Sequence, residues 1–158
     1  MKPDPLRQQL VNTLRGRGAH VEFDSVVADF PPELRGVKPA GLPYSAWQLL
    51  AHMRMAQHDI LDFCVNPDYA EMKWPDDYWP RDEAPPNEKA WEKCVRDFRK
   101  DLSAMEALVT DHKRDLLAPI PHGEGQTLLR EALLVADHNA YHLGQLVLLR
   151  RLLNVWPA

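Results

Sequence analysis

Apolar residues recur at spacings of three and four along four long segments, which is the period of helices that bury one face. The first helix begins at Asp4, a favourable N-cap, and stops near Gly16 or Gly18. The second begins at the capping box Ser45–Gln48 and ends at the Asn-Pro pair 66–67. These start and stop signals predict two of the four helices.

The third and fourth helices occupy the second half of the chain. The third follows Asn87, its predicted N-cap, and its apolar stripe consists of Trp91, Cys94, Val95, Phe98, Leu102, Met105 and Leu108. The fourth runs from about Thr127 to Asn154 and is apolar over much more than half its circumference. We therefore expect the last helix to be the most buried of the four.

The connections between these helices are long. Residues 19–44 and 65–86 exceed the two to eight residues or so that usually join the helices of a bundle. Their aromatic and Pro-rich content indicates packed loops, with one short helix beginning after Asp24. No window shows strand alternation. The pattern predicts an all-α four-helix bundle with long cross-connections, in a single domain that spans residues 1–158.

Composition and charge exclude several classes of protein. Hydrophobic residues make up 45% of the 158 residues, which is typical of a globular chain, and the net charge of −4 argues against a nucleic-acid partner. No apolar stretch is long enough to predict a membrane partner, and the start MKPDPLRQQL lacks a secretory signal, so we expect a cytoplasmic protein. Cys64 and Cys94 lie on apolar helix faces, which favours buried thiols over a disulfide or a metal site.

Two histidines interrupt the last helix one turn apart, in the segment HNAYH. His138 and His142 project about 40° apart around the helix, so their rings can converge on one metal ion. The alternative is that both rings are partly exposed or satisfied by neighbouring groups. Asn139 stands where the HExxH motif of metalloproteases has glutamate, so the sequence does not support a metalloprotease.

A third ligand is needed, and His52 on the second helix is the best candidate. It flanks the apolar stripe of that helix, from where it can point into a cleft between helices. Asp59, two turns further on, is a candidate acceptor for its other ring nitrogen. The alternative is a solvent-facing His52 with an unrelated Asp59. Glu131 shares the edge of the last helix that carries the histidine pair.

The other four histidines are weaker candidates for a site. His58 lies opposite the apolar stripe of its helix, so we expect it at the surface. His20 and His112 lie at helix ends, where a cation is favourable near a C-terminus, and we interpret both as structural. His122 precedes the last helix in a Gly-containing loop, which is a candidate position at the rim of a site.

The segment WQLLAHMRMAQ on a capped helix, followed by HNAYHLGQL on the last helix, resembles the DinB-like (DinB/YfiT) superfamily of metal-dependent proteins. The resemblance implies a four-helix bundle with long cross-connections that often forms a homodimer. It also implies that His52, His138 and His142 bind one divalent metal ion, nickel or zinc, although iron also accepts imidazole ligands.

The superfamily includes bacillithiol transferases and a mycothiol-dependent maleylpyruvate isomerase, so the resemblance favours one function over two alternatives. The favoured function is a thiol-dependent S-transferase that uses a low-molecular-weight thiol and acts on small electrophiles. The first alternative is a metal-dependent hydrolase of a small molecule, with Glu131 or Asp59 as proton carriers. The second is a non-catalytic dimeric module that serves in binding or in a stress response.

Overall fold

The computed structural model describes residues 4–156, which form five α-helices. These are α1 (Pro5–Leu14), α2 (Phe23–Val27), α3 (Ala46–Val65), α4 (Glu88–Thr110) and α5 (Leu128–Leu152), with one 3-10 turn at Pro32–Leu34. Within residues 4–156 no strand forms, and Pro119 and Thr127 make only an isolated bridge. The predicted all-α helical bundle is confirmed.

The predicted helix starts are formed by side chains that accept from otherwise unpaired backbone amides. The Asp4 carboxylate accepts from the amides of Leu6 and Arg7 at the start of α1. At the start of α3 the Ser45 hydroxyl accepts from the Gln48 amide at 3.2 Å, and the Gln48 side chain accepts from the Ser45 amide at 3.2 Å. Because each cap satisfies donors inside its own first turn, these boundaries could be predicted from sequence.

The α3 helix packs against both α4 and α5, and α1 packs across α4 and α5. The core has two apolar clusters. The buried apolar residues of α5 are divided between the two clusters. Those up to Ala136 belong to one cluster, and those from Leu143 onward belong to the other. Between them lies a layer of buried polar side chains, in which the Asn139 amide donates to Gln57 and the Gln57 amide donates to the Phe98 carbonyl. The candidate histidines belong to this layer.

The expectation that α5 is the most buried helix is wrong. One face of α5 has no packing partner among residues 4–156, and it exposes several large apolar side chains: Leu133, Leu134, Tyr141, Leu148 and Leu152. The other helices cover only the opposite face of α5, whereas α3 is covered from two sides. The short helix α2 begins at Phe23, one residue before Asp24, and the Phe23 ring stacks on Phe98 with ring centroids 3.9 Å apart.

The long connections are packed, and they are tied to one another. The Lys38 ammonium lies 2.6 Å from a Glu83 carboxylate oxygen, and the Ser45 hydroxyl donates to the Glu83 carbonyl. The Trp47 amide donates to the Arg35 carbonyl at 2.8 Å. These bonds hold both connections at the start of α3, which is the end of that helix nearest to His52. Across the described part of the chain, no helix is both long and apolar enough to cross a membrane.

Candidate metal centre

Three histidine rings meet between α3 and α5. The Nε2 atom of His52 lies 3.0 Å from Nε2 of His138 and 3.1 Å from Nε2 of His142. The one-turn spacing places His138 and His142 on one side of α5, and α3 brings His52 to them. The fold therefore brings together the three side chains that the sequence singled out. Their role as metal ligands stays a prediction.

Two of the rings are oriented by hydrogen bonds on their outer nitrogens. The Nδ1–H group of His52 donates to the Tyr78 carbonyl at 2.8 Å, and that of His142 donates to the Gln145 side-chain oxygen at 2.7 Å. A neutral imidazole carries only one N–H group, so both Nε2 atoms then present lone pairs. Two lone pairs that face each other across 3.1 Å repel unless a cation lies near both.

Burial keeps these histidines uncharged at neutral pH. Loss of hydration lowers the pKa of His52 to about 4, an effect that the Tyr78 carbonyl opposes and His142 reinforces. Burial, followed by the proximity of His142 and His52, lowers the pKa of His138 to about 4. Burial also lowers the pKa of His142, against the effect of Gln145. All three rings can therefore offer a lone pair to a metal ion without first losing a proton.

The three histidines fit a divalent ion. Nitrogen ligands lie roughly 2.0–2.1 Å from zinc, so two ligands of one ion are separated by at most about 4.2 Å. The His52–His138 and His52–His142 nitrogen pairs both meet this limit. Among residues 4–156 these three form the only group of at least three His, Cys, Asp or Glu side chains whose ligand atoms lie close enough to share an ion. Imidazole ligands suit nickel, zinc and iron alike.

Aromatic side chains from the connection 66–87 pack onto the histidines. Trp79 stacks on His52 with ring centroids 3.9 Å apart and planes 2° apart, and Tyr44 stacks on Trp79 at 4.2 Å. Sequence reasoning did not identify these residues or the Tyr78 carbonyl. The aromatic composition of the connection was the only signal for them, because its path over the helices depends on non-local contacts.

A cavity of about 600 Å³ adjoins the three histidines, and we call it the histidine cavity. Aromatic rings, apolar side chains and two carboxylates line it, among them Trp74, Tyr78, Tyr141, Ile60, Leu134, Asp59 and Asp137. A second cavity of about 460 Å³, the Glu131 cavity, shares Asp59 and Tyr78 with the first. The histidines thus lie at one end of a cleft that continues past Asp59.

Asp59 does not bind His52, which corrects the predicted partnership. Its two carboxylate oxygens accept from the hydroxyls of Tyr69 at 2.9 Å and Tyr78 at 2.6 Å. Asp59 lies seven positions after His52 in the helix, a rise of about 10 Å, whereas the connection brings a backbone carbonyl directly to the ring. Asp59 therefore holds that connection in place, and burial together with Asp59 raises the pKa of both tyrosines.

Glu131 is buried, at 2% exposed, but it lies apart from the histidines. Its carboxylate accepts from the Arg130 guanidinium at 2.6 Å, and it lines the Glu131 cavity and not the histidine cavity. It lies seven positions before His138 in the helix, again about 10 Å along the axis. Its proposed role as a proton carrier stays a prediction, and the structure places it at a distance from the three rings.

The remaining histidines and the cysteines lie away from the three rings. His58 is exposed beside Asp101, and the exposed His122 donates to the Phe63 carbonyl at 2.7 Å and lines the Glu131 cavity. The exposed His20 contacts the Val21 carbonyl, and His112 is also exposed. Cys64 and Cys94 are buried free thiols, as predicted, and burial raises the pKa of Cys94 to about 11.

A family model described as the DinB superfamily matches residues 17–146 of the chain. The matched region contains α3, α4 and most of α5, and it includes all three clustered histidines. Comparisons with curated proteins and with solved structures gave no significant match.

Proposed function

This chain belongs to the DinB superfamily, and from that premise we propose that His52, His138 and His142 bind one divalent metal ion for chemistry on a small molecule. The observation that carries the proposal is the convergence of the three Nε2 atoms. The Nδ1–H groups of His52 and His142 already donate to the Tyr78 carbonyl and the Gln145 side chain, which leaves both Nε2 lone pairs free. Three protein ligands leave positions open for a substrate, as in catalytic metal sites. We propose nickel or zinc as the ion, with iron as a further option.

We propose a thiol-dependent S-transferase as the most specific function. A bound divalent ion would supply stabilisation of a thiolate. In the transfer, the thiol sulfur forms a bond to an electrophilic carbon, the leaving group departs with its electron pair, and the thiol proton passes to water. Side chains of the protein shield and line the site. Trp79 covers His52, and the aromatic walls of the histidine cavity accept a small apolar electrophile.

Metal analysis tests the metal site. Protein purified without a histidine tag should hold about one equivalent of metal, while His138→Ala and His142→Ala should lose it. His58→Ala is the matched control, because that histidine lies on α3 but outside the cluster. The wild-type protein should also melt at a higher temperature when loaded, since the ion binds only the folded state. Metal retained by both cluster variants would refute the site.

A thiol assay separates the transferase from its alternatives. Metal-loaded protein is incubated with monochlorobimane and a panel of low-molecular-weight thiols, beside the metal-free protein. We expect faster conjugation with at least one thiol. No acceleration with any thiol would refute the transferase, and ester or amide hydrolysis that survives thiol removal would favour the hydrolase. Absence of both activities in metal-loaded protein would favour the non-catalytic module.

We also propose that the chain forms the homodimer implied by its family. The support is the uncovered face of α5, where Leu133, Leu148 and Leu152 are each 47% exposed or more. Exposed apolar patches on helices commonly mark protein interfaces. Sedimentation of the wild type and of Leu148→Glu tests this, and a monomeric wild type at micromolar concentration would refute it.

A further inference from the structure

We propose that the histidine cavity binds an organic cation, a protonated or quaternary amine on an apolar body, between the rings of Trp74, Tyr78 and Tyr141. This inference goes beyond the proposed function: it names a class of ligand for the mouth of the same cavity, and it does not require a bound metal ion. Three features carry it: the aromatic rings, the charge of the lining, and the exposure of the rings at the mouth of the cavity.

The rings come from two separate elements and frame the mouth of the cavity. Trp74 and Tyr78 belong to the connection 66–87, and their ring centroids lie 5.3 Å apart with planes tilted by 59°, so they form a corner. Tyr141 projects from α5, where it meets His142 edge-on at 4.9 Å. Faces of tryptophan and tyrosine attract cations through the ring quadrupole, and several such faces are the usual receptor for quaternary ammonium groups.

Two of these rings are unusually exposed. Trp74 is 67% exposed and Tyr141 is 66% exposed, although both line the cavity. Covering large aromatic surfaces with a ligand removes apolar area from water, which favours binding. The arrangement therefore gains from an occupant that has apolar substituents around its charge.

The charge of the lining selects the sign of the ligand. Asp59 and Asp137 line the histidine cavity, and no Lys or Arg side chain is among the described residues that line it. Asp137 is exposed, and within residues 4–156 no side chain forms an ion pair with it. In the adjoining Glu131 cavity, the Arg130 guanidinium already pairs with Glu131 at 2.6 Å. A carboxylate or phosphate group would meet negative charge here without a basic partner.

A bound metal ion changes the magnitude of this preference. The double positive charge of a divalent ion held by the histidines would repel a ligand cation in the same cavity. We therefore expect the organic cation to bind at the mouth, against Trp74 and Tyr78, and to bind more tightly to metal-free protein than to loaded protein. This dependence makes the inference measurable without any enzymatic assay.

The test uses three probes of one shape and different charge. These are choline, its uncharged carbon isostere 3,3-dimethylbutan-1-ol, and the anion 3,3-dimethylbutanoate. Binding to the 158-residue chain is measured by ligand-observed NMR and by tryptophan fluorescence, with metal-free and with zinc-loaded samples. We expect choline to bind metal-free protein about tenfold more tightly than the isostere, and the anion to bind most weakly. Equal or tighter binding of the isostere would overturn the inference.

Variants separate the aromatic and electrostatic contributions. Trp74→Leu should weaken choline binding about fivefold, whereas Trp74→Phe, which keeps an aromatic face, should stay within about twofold of the wild type. Asp137→Asn should weaken it about threefold, and Asp68→Asn, which removes the same charge outside both cavities, should leave it unchanged. Wild-type affinity in Trp74→Leu would overturn the aromatic part of the inference.

The two proposals fail separately. Metal content is measured on the same zinc-treated samples. If the protein binds no metal but prefers choline over its isostere, the metal function is refuted and the cation site stands. If it binds metal without that preference, the cation site alone is refuted.

Discussion

Acid should destabilise the metal-free protein through His52 and His138. The pKa of each is about 4 in the folded protein, because the rings are buried, and 6.5 for an ordinary histidine. Between these pH values the unfolded chain binds protons that the folded chain does not. The free energy of unfolding therefore falls as the pH falls from about 6.5 towards 4, and these two histidines leave it level above that range.

The expected magnitude follows from the two pKa values. A difference of one between a folded and an unfolded pKa corresponds to about 1.36 kcal/mol. A histidine whose pKa falls from 6.5 to about 4 thus costs about 3 kcal/mol once the pH reaches 4, and about 2 kcal/mol at pH 5. Total stabilities of small domains are about 5–15 kcal/mol, so two such histidines make acid unfolding prominent.

The assay is urea unfolding of chelator-treated protein, followed by circular dichroism. It measures the free energy of unfolding at several pH values between 5 and 7. The comparison variant is His138→Gln, because glutamine does not titrate. Both proteins contain the same carboxylates, so the contribution of these groups cancels when the two free energies of unfolding are subtracted. The stability of the wild type relative to the variant should fall by about 2 kcal/mol from pH 7 to pH 5. Parallel pH profiles for the two proteins would refute the reasoning.

Two further substitutions test the supports of the site. Gln145→Ala removes the acceptor of the His142 Nδ1–H group, so metal affinity measured against a competing chelator should fall about 10–100-fold. The control Gln9→Ala, at an exposed position, should leave the metal affinity unchanged. Wild-type affinity in Gln145→Ala would show that the His142 ring does not need this hydrogen bond. Phe98→Ala removes a ring that is 1% exposed and stacked on Phe23, so urea unfolding should show a loss of about 3–5 kcal/mol. A loss below about 1 kcal/mol would contradict the packing described for this ring.

The features that the sequence predicted well depend on neighbours a few residues away. The capping box at Ser45 satisfies donors within one turn, and the spacing of His138 and His142 fixes their common side of α5. His52 was selected from its position beside the apolar stripe of α3, and the family motif then pointed to the same residue. The single domain, the homodimer and the metal itself stay predictions.

The features that the sequence did not reveal depend on where the long connection 66–87 travels. Asp59 was expected to contact His52, yet the connection places two tyrosine hydroxyls on Asp59 and a carbonyl on His52. The exposed face of α5 was missed for a related reason. Apolar composition records which side chains favour burial, whereas the number of neighbouring helices decides which of them are covered.

His52 is held by a main-chain atom, and this makes the site respond differently to two kinds of genetic change. A substitution at position 78 keeps a carbonyl oxygen there, and it disturbs the acceptor only by removing the hydroxyl bond to Asp59 that helps hold the connection in place. An insertion or deletion between the end of α3 and Tyr78 changes the length of chain that leads to this carbonyl, so the Tyr78 carbonyl no longer lies against the ring. The length of this connection therefore constrains the histidine directly, whereas the identity of residue 78 constrains it through the bond to Asp59.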